Sequence, residues 1–176
     1  MSPHRETLPV RLLEHVAGLG DQPPLRALCA AVIVGGLVSG HGRLARTGLK
    51  MLAAHTLATW TKDFVKHRID RTRPRSLGKQ GKDHRPTAGR HTAKEETSFP
   101  SGHSAGAAAV ACAFARDYPQ YAVPALAAGG ALALAQIPRC AHYPTDVGAG
   151  LAIGVAAEAV LHMGVRTLDR NDEGAL

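Results

Sequence analysis

The chain has 176 residues, of which 45% are apolar but only 4% are aromatic, and its formal net charge is +7. That length fits one domain, residues 1–176, and apolar residues that are mostly Ala, Leu, Val and Gly favour close-packed helices over a sheet. All of the excess positive charge lies in residues 41–100, which hold 14 Lys and Arg against 5 acidic residues. An anionic partner is therefore expected. Nucleic acid is not, because this segment lacks interleaved aromatic residues and any recognisable nucleic-acid module.

Five apolar segments follow one another along the chain, and each predicts a helix. They are about 14–19 residues long, close to or below the ~20 residues that cross a bilayer. Ahead of them, in the N-terminal segment 1–24, Leu8–Gly18 has the pattern of an amphipathic helix. The predicted fold is all-α, an integral-membrane bundle of about five apolar helices with an N-terminal amphipathic helix. The apolar segments are Leu25–Gly40, Thr47–Trp60, Ser101–Ala115, Tyr121–Ile137 and Val147–Val165.

Small residues support the membrane environment. Gly36 and Gly40, like Gly150 and Gly154, have the small-xxx-small spacing that lets helix backbones touch in lipid. Glycines at loose or terminal positions of a soluble bundle are the alternative. Between the second and third apolar segments, residues 75–98 are polar, basic and without periodicity, which predicts a mobile loop.

The order of the segments predicts that three polar fragments meet at one end of the bundle. If successive helices alternate in direction, residues 61–100 and 138–146 lie on one side, and residues 41–46 and 116–120 lie on the other. This prediction holds for a membrane bundle and for a soluble antiparallel bundle alike.

The first fragment is a pair of cations, Lys66 and Arg73, followed directly by Pro74. Seven positions are two helical turns, so both side chains can project to one side, and the proline ends any helix before it. A lysine point charge and a planar arginine fork suit phosphate oxygens, although a basic stretch after an apolar helix is the simpler interpretation. Three neighbouring arginines are interpreted as solvating this face: Arg68, Arg71 and Arg75.

The second fragment, Pro100-Ser101-Gly102-His103, opens the third apolar segment. The first turn of a helix offers free backbone amides and a partial positive charge, which together bind anions. Ser101 is suited to capping the helix or binding phosphate, and Gly102 lets the backbone approach closely. His103 would then lie beside the bound group, where it can protonate a leaving oxygen. An ordinary capped helix with an incidental histidine is the alternative.

The third fragment contains His142 and Asp146, four residues apart and therefore on one face of a helix. A carboxylate on one imidazole nitrogen fixes the tautomer and leaves the other nitrogen free to attack. Arg139 precedes His142 by three residues, one turn away if the helix extends back past Pro138. A surface His–Asp pair is the alternative.

In this order the fragments resemble the motifs of the type 2 phosphatidic acid phosphatase superfamily, which includes lipid phosphate phosphatases, bacterial acid phosphatases and vanadium haloperoxidases. Lys66, Arg73 and Pro74 match its first motif, and Pro100 to His103 match its second. In the third motif, Ser-Arg, five residues, His, three residues, Asp, the last two residues match as His142 and Asp146. The Ser-Arg pair is replaced by Ala135 and Gln136, and Arg139 is the candidate substitute.

The resemblance implies a metal-independent phosphatase with no cofactor. His142 would attack phosphorus and form a phosphohistidine, Asp146 would orient it, and His103 would protonate the leaving group and then activate water. The remaining residues would stabilise the phosphate oxygens. They are Lys66, Arg73, Ser101, Gly102 and Arg139.

The expected substrate is a lipid phosphate: phosphatidic acid, phosphatidylglycerol phosphate, or a polyprenyl phosphate or diphosphate. The expected location is a bacterial inner membrane, with several passes and the active site on the extracytoplasmic face. The pattern leaves the oligomeric state open. A soluble acid phosphatase or haloperoxidase-like enzyme with the same pocket is one alternative, and a non-catalytic relative that binds anions or lipids is another.

Two further histidine groups are interpreted as non-catalytic. His84 and His91 lie in the predicted loop without a convincing set of metal ligands. Glu158 and His162 form an i, i+4 pair inside the fifth apolar segment, which we interpret as a structural pairing.

Overall fold

A computed structural model of the chain describes residues 18–76, 85–89 and 96–173. The described part contains five α-helices, in agreement with the five apolar segments, and two short 3₁₀ turns, Pro74–Ser76 and Pro119–Tyr121. The predicted amphipathic helix at Leu8–Gly18 lies outside the described residues except for Gly18. The helices are α1 (Gln22–Val38), α2 (Gly42–Lys66), α3 (Gly102–Asp117), α4 (Ala122–Leu134) and α5 (Pro144–Glu173).

Helix α3 is the centre of the bundle. It packs against α2, α4 and α5, whereas α1 packs mainly on α2. Its sequence, GHSAGAAAVACAFARD, is almost free of large side chains, and ten of its sixteen residues are buried. A helix surrounded on three sides can approach its neighbours closely only if its side chains are small. The alanine-rich composition of this segment therefore follows from its central position.

Glycines set the closest helix contacts. A Cβ on Gly154 would lie 2.3 Å from the Ala105 carbonyl oxygen, and one on Gly150 would lie 2.4 Å from that of Ser101. These two glycines therefore allow α5 to touch α3, as the small-xxx-small pattern predicted. At the other pair, Gly36 meets the backbone of Ala45 on α2, but Gly40 does not pack. Gly40 has φ +70° and forms the turn between α1 and α2.

One helical stretch in the described part of the chain, Pro144–Leu168, is long and apolar enough to cross a bilayer, and α1 is a shorter apolar helix. The 16 residues of α3 and the 13 of α4 span only about 24 Å and 20 Å at 1.5 Å per residue. Helix α2 has 25 residues, but it carries charges near both ends. The prediction of helices is thus confirmed, whereas a bundle of five membrane-spanning helices stays a prediction.

A polar cluster ties three helices together at the end of the bundle where α3 finishes. Arg116 makes two hydrogen bonds to Glu158, at 2.6 and 2.7 Å, and Lys50 donates to Asp117 at 2.9 Å. Glu158 is thus paired with an arginine on α3, not with His162 as the sequence interpretation had it. The correction arises because α3 and α5 are in contact, which brings a stronger partner to the carboxylate.

The segment after α2 contains regular structure that the sequence interpretation missed. Strand β1 (Ile69–Asp70) pairs antiparallel with β2 (Thr87–Ala88). Beside it, the amide of Arg71 donates to the Glu96 carbonyl at 2.8 Å, and the amide of Ser98 donates to the Arg71 carbonyl at 2.9 Å. Part of the predicted loop 75–98 therefore lies in a hydrogen-bonded ladder, which fixes Arg71 and Ser98 at the start of α3.

Because Gly154 has no room for a side chain, Gly154→Ala should lower the free energy of unfolding by about 1–3 kcal/mol through overpacking against Ala105. Gly164 is the matched control, since it lies on the same helix with nothing within 4 Å of a Cβ. Gly164→Ala should be neutral or stabilising by up to about 1 kcal/mol. Thermal unfolding of the purified variants measures both, and equal stabilities would contradict the packing argument.

Candidate active site

Three helix ends surround a cavity of about 310 Å³ at one end of the bundle. They are the start of α1, the end of α2 and the start of α3, and the segment after α2 and the segment before α5 complete the wall. Five of the predicted site residues line it: Lys66, Arg73, Gly102, His103 and His142. The alternation of helix direction therefore brings all three sequence fragments to one end.

His142 is held in one tautomer by a backbone group. Its Nδ1 lies 2.8 Å from the carbonyl oxygen of Ser98. Because a carbonyl can only accept, Nδ1 carries the hydrogen and Nε2 keeps its lone pair. The carboxylate of Asp146 lies 3.8 Å from the same Nδ1, beyond hydrogen-bond distance but close enough to stabilise positive charge on the ring. The sequence predicted the carboxylate as the partner of the imidazole, and the structure adds the Ser98 carbonyl as the nearer acceptor.

Asp146 is fully buried and is itself surrounded by donors. Arg71 Nη1 lies 2.5 Å from Oδ1, and the amide of Tyr143 donates to Oδ2 at 3.0 Å. The hydroxyl of Ser98 also donates to Oδ2 in a short contact. A carboxylate taken out of water must be compensated by charge and hydrogen bonds, and these groups provide both.

Arg71 was interpreted from the sequence as a solvated charge, and that interpretation is wrong. Its side chain is only 11% exposed. In addition to Asp146 it contacts Thr145 Oγ1 at 2.7 Å and lies over the Tyr143 ring at 4.1 Å. The guanidinium is therefore part of the support behind the nucleophile candidate. Its position two residues before Arg73 was the available signal, but nothing local in the sequence identifies its partner 75 residues away.

Cations line the side of the cavity formed by α2 and by the segment after it. Arg73 is 7% exposed, and its Nη1 donates to the Ala141 carbonyl at 3.3 Å. Lys62, which the sequence analysis did not select, is 6% exposed, pairs with Asp63 and lines the cavity with Lys66. Lys62 precedes Lys66 by four residues, so the shared helix face was a signal that could have found it.

Gly102 makes room for Lys62. A Cβ on Gly102 would lie 3.1 Å from Lys62 Cδ and 3.7 Å from its Nζ. Ser101, by contrast, is fully buried and does not line the cavity. It is the N-cap of α3, where its hydroxyl accepts from the Ser104 amide at 3.4 Å. Capping is one of the two roles that the sequence left open for Ser101, and phosphate binding by Ser101 stays a prediction.

Arg139 lies beside the cavity, but it is not among the described residues that line it. Its Nη1 donates to Gln136 Oε1 at 3.4 Å, and Gln136 is fully buried. Gln136, which occupies the position of the usual arginine, thus holds Arg139 close to the cavity. Arg139 is near enough to interact electrostatically with His103.

The two histidines face each other across the cavity. Their ring centroids are 6.3 Å apart, with the planes inclined at 62°. Burial lowers the pKa of His142 below the usual imidazole range; Asp146 opposes this shift and Arg73 adds to it. His142 is therefore neutral near pH 7, the protonation state that a nucleophile requires.

The arrangement suits the binding of a phosphate between two imidazoles, with cations on one side and a helix N-terminus on another. Among the described residues, no cluster of three or more His, Cys, Asp or Glu side chains has the arrangement of a metal site. His84 and His91 lie outside the described residues.

A sequence profile of the PAP2 superfamily matches residues 47–170. The chain belongs to the PAP2 superfamily. This confirms the resemblance that the three motifs indicated, and the matched range includes His142, His103 and the cations of the cavity.

Two curated relatives are similar to part of this PAP2 chain. Both are named lipid A 1-phosphatase, one from Rhizobium johnstonii and one from Rhizobium etli, and each is 41% identical over 93 residues. The match covers 52% of this chain but only 37% and 39% of the two relatives. The chain therefore matches less than two fifths of their length. No solved structure gave a significant match.

The Arg71–Asp146 ion pair predicts a specific pattern of stabilities. Arg71→Met leaves the buried Asp146 carboxylate without its cation and should cost about 3–5 kcal/mol, because an uncompensated buried charge is strongly destabilising. The double variant Arg71→Met/Asp146→Asn should lose less than the sum of the single losses. Thermal or denaturant unfolding measures each value.

Arg68→Met is the control, since Arg68 is an exposed arginine from the same segment that stacks on Phe64. It should change stability by no more than about 0.5 kcal/mol. Additive losses in the double variant would show that the two side chains do not act as a pair.

Proposed function

We propose that this protein is a metal-independent phosphatase that hydrolyses a lipid phosphate through a phosphohistidine intermediate. The observation that carries the proposal is the freed Nε2 of His142, which faces His103 across a cation-lined cavity. Membership of the PAP2 superfamily supports the reaction class. The name of the two Rhizobium relatives supports a lipid-linked phosphate as the substrate.

In the first step, Nε2 of His142 attacks phosphorus while the ester P–O bond breaks and His103 gives a proton to the leaving oxygen. The products are the free alcohol and a phosphohistidine. In the second step, neutral His103 takes a proton from water, the water oxygen bonds to phosphorus and the N–P bond breaks. Inorganic phosphate leaves, and both histidines return to their starting states.

The transition state spreads negative charge over the equatorial oxygens of the phosphoryl group. Lys62, Lys66 and Arg73 line the wall of the cavity and would stabilise this charge without reorganising. Gly102 adds a backbone amide from the first turn of α3. Ser101 caps this helix through the amide of Ser104, two residues after Gly102, so the cap leaves the Gly102 amide available to substrate.

His142→Ala should abolish phosphate release, lowering kcat by at least about 10⁴-fold, because it removes the nucleophile. His142 is buried and hydrogen-bonded to the Ser98 carbonyl, so its loss should lower the unfolding temperature but leave a cooperative unfolding transition. Phosphate release and thermal unfolding are measured on the same preparation. Activity near the original level would overturn the assignment of the nucleophile.

Trapping the intermediate separates this mechanism from direct attack by water. Brief incubation with a ³²P-labelled ester should label the protein with a phosphate that survives alkali and is released by acid. The label should be absent from His142→Ala.

An apolar groove supports a lipid substrate. It has a volume of about 250 Å³ and lies between α1, α3 and α4. Leu25 of the groove is two residues after Pro23 of the cavity, and Ala107 is one helical turn after His103. An acyl chain attached to a phosphate in the cavity would therefore continue into this groove. The groove is lined almost wholly by apolar atoms of these residues: Leu25, Leu28, Val32, Met51, Ala107, Val110, Ala111, Phe114, Ala125, Ala128, Gly129 and Leu132.

The outer surface of the helices supports a membrane location. Large apolar side chains are exposed on α1, α4 and α5, among them Val38, Val123 and Met163 at 84%, 80% and 59%. The stretch Pro144–Leu168 is long and apolar enough to span a bilayer, and only 28% of its most apolar window is buried inside the protein. Contact of these apolar surfaces with lipid would be favourable, whereas their contact with water would not. We therefore place the protein in the bacterial inner membrane, and the extracytoplasmic active site stays a prediction.

A phosphate-release screen in detergent should show preference for long-chain substrates. We expect kcat/KM to be at least about tenfold higher for lipid A, phosphatidic acid or a polyprenyl phosphate than for a water-soluble ester such as glycerol phosphate. Ala128→Trp, which fills the groove, should reduce activity on the lipids and leave that on glycerol phosphate unchanged. Equal kcat/KM for lipids and soluble esters would contradict the lipid assignment.

A further inference from the structure

The start of α1 contributes a carboxylate to the cavity. Asp21 lies on the cavity wall, and its Oδ1 is 2.5 Å from Nε2 of His103. The side chain of Asp21 is 55% exposed and that of His103 is 23% exposed. Asp21 lies outside the range matched by the superfamily, residues 47–170, and none of the three motifs includes it.

Helix capping does not account for this aspartate. Asp21 occupies the N-cap position of α1, yet its side chain makes no capping hydrogen bond. The first helical residues are Gln22, Pro23 and Pro24. An N-cap carboxylate normally accepts from the second or third amide of the helix, but proline has no N–H. With no such amides to accept from, the carboxylate of Asp21 is directed to His103 instead.

Asp21 is also the only acidic residue among the described residues that line the cavity. The groups around His103 are otherwise cationic or neutral, and each positive charge makes a second positive charge on the imidazole less favourable. A carboxylate in contact with the ring opposes that effect, whereas burial of the ring adds to it. The charged and titratable groups facing His103 are Asp21 from α1, Lys62 and Lys66 from α2, Arg73 from the segment after α2, and Arg139 and His142 from the segment before α5.

We propose that Asp21 is the positioning residue of His103, accepting a hydrogen bond from Nε2–H and so orienting the imidazole and favouring its protonated form for transfer of a proton to the leaving oxygen. The inference rests on the proposed function. In the imidazolium both nitrogens carry hydrogen, and Asp21 holds the one on Nε2. The Nδ1–H bond then breaks as the proton moves to the leaving oxygen, while the ester P–O bond breaks and the bond from His142 to phosphorus forms. The imidazole of His103 is left neutral, with Nε2–H still on Asp21.

The experiment compares two esters that differ in their need for a proton. An alkyl phosphate, hexyl phosphate, requires protonation of its leaving oxygen, whereas p-nitrophenolate leaves from p-nitrophenyl phosphate without it. The parameter kcat/KM reports only steps up to formation of the phosphohistidine. Asp21→Asn should therefore lower kcat/KM for hexyl phosphate by about 10–100-fold and for p-nitrophenyl phosphate by less than about threefold.

Two further readouts separate positioning from a structural role. The alkaline limb of kcat/KM for hexyl phosphate should move to lower pH in Asp21→Asn, because losing the negative charge makes His103 release its proton more easily. Asp21→Glu keeps the charge and should restore most of the lost activity. A merely structural effect on α1 would lower kcat/KM for both esters by the same factor and leave the pH limb in place.

Three other outcomes overturn the inference. Equal losses for both esters would show that Asp21 supports the fold only. A gain with both esters would show that the carboxylate obstructs the cavity and is displaced by phosphate. If the unchanged protein released no phosphate from either ester or from the lipids, the proposed function would fail, and the role of Asp21 would fail with it. Hydrolysis of both esters by the unchanged protein, with equal losses in Asp21→Asn, would leave the proposed function intact and remove this inference alone.

Discussion

The buried carboxylate of Asp146 is the constraint on which the active-site end of the bundle depends. Through Arg71 it holds the segment after α2, through the Ser98 hydroxyl it holds the residues before α3, and through the Tyr143 amide it holds the start of α5. Its own backbone carbonyl accepts from the amide of Ser101 at 3.0 Å. A charge removed from water is stable only while all of these donors stay in place. One residue therefore couples the orientation of His142 to the packing of the segments that carry the remaining motifs.

Ser98 connects this constraint to the chemistry. Its hydroxyl donates to Asp146 and its carbonyl accepts from His142, so one residue fixes both the carboxylate and the tautomer of the nucleophile candidate. The ladder between Arg71 and residues 96–98 fixes the Ser98 backbone in turn. The short backbone pairing in this connection thus holds the Ser98 carbonyl in a fixed direction. That carbonyl in turn fixes the tautomer of His142.

Local patterns in the sequence were sufficient for the helices and for five of the residues that line the cavity. They did not identify Lys62 or Asp21, which also line it, or the residues that support the cavity from behind. The glycine spacing of Gly150 and Gly154 predicted a close helix contact, and the alternation of helix direction predicted that Lys66, His103 and His142 share one end. Arg71 was missed because its partner is 75 residues away, and no local pattern contains that distance. Lys62 was missed because α2 continues past Trp60, where the apolar segment ends. Charged residues at such a helix end are usually exposed to solvent, but Lys62 is buried and lines the cavity.

The replacement of the usual arginine by Gln136 changes where a positive charge can act. Gln136 is fully buried and accepts from Arg139, so the guanidinium reaches the neighbourhood of the cavity from three residues further along the chain. From there it acts on His103 and is absent from the described cavity wall, where Lys62, Lys66 and Arg73 supply the cations. In the proposed mechanism, phosphate binding would rely on the α2 side of the cavity, while Arg139 adds positive charge near His103 on the other side. Such a distribution disfavours a protonated His103. A carboxylate beside that ring therefore matters more in this chain than it would in a chain with the usual arginine on the cavity wall.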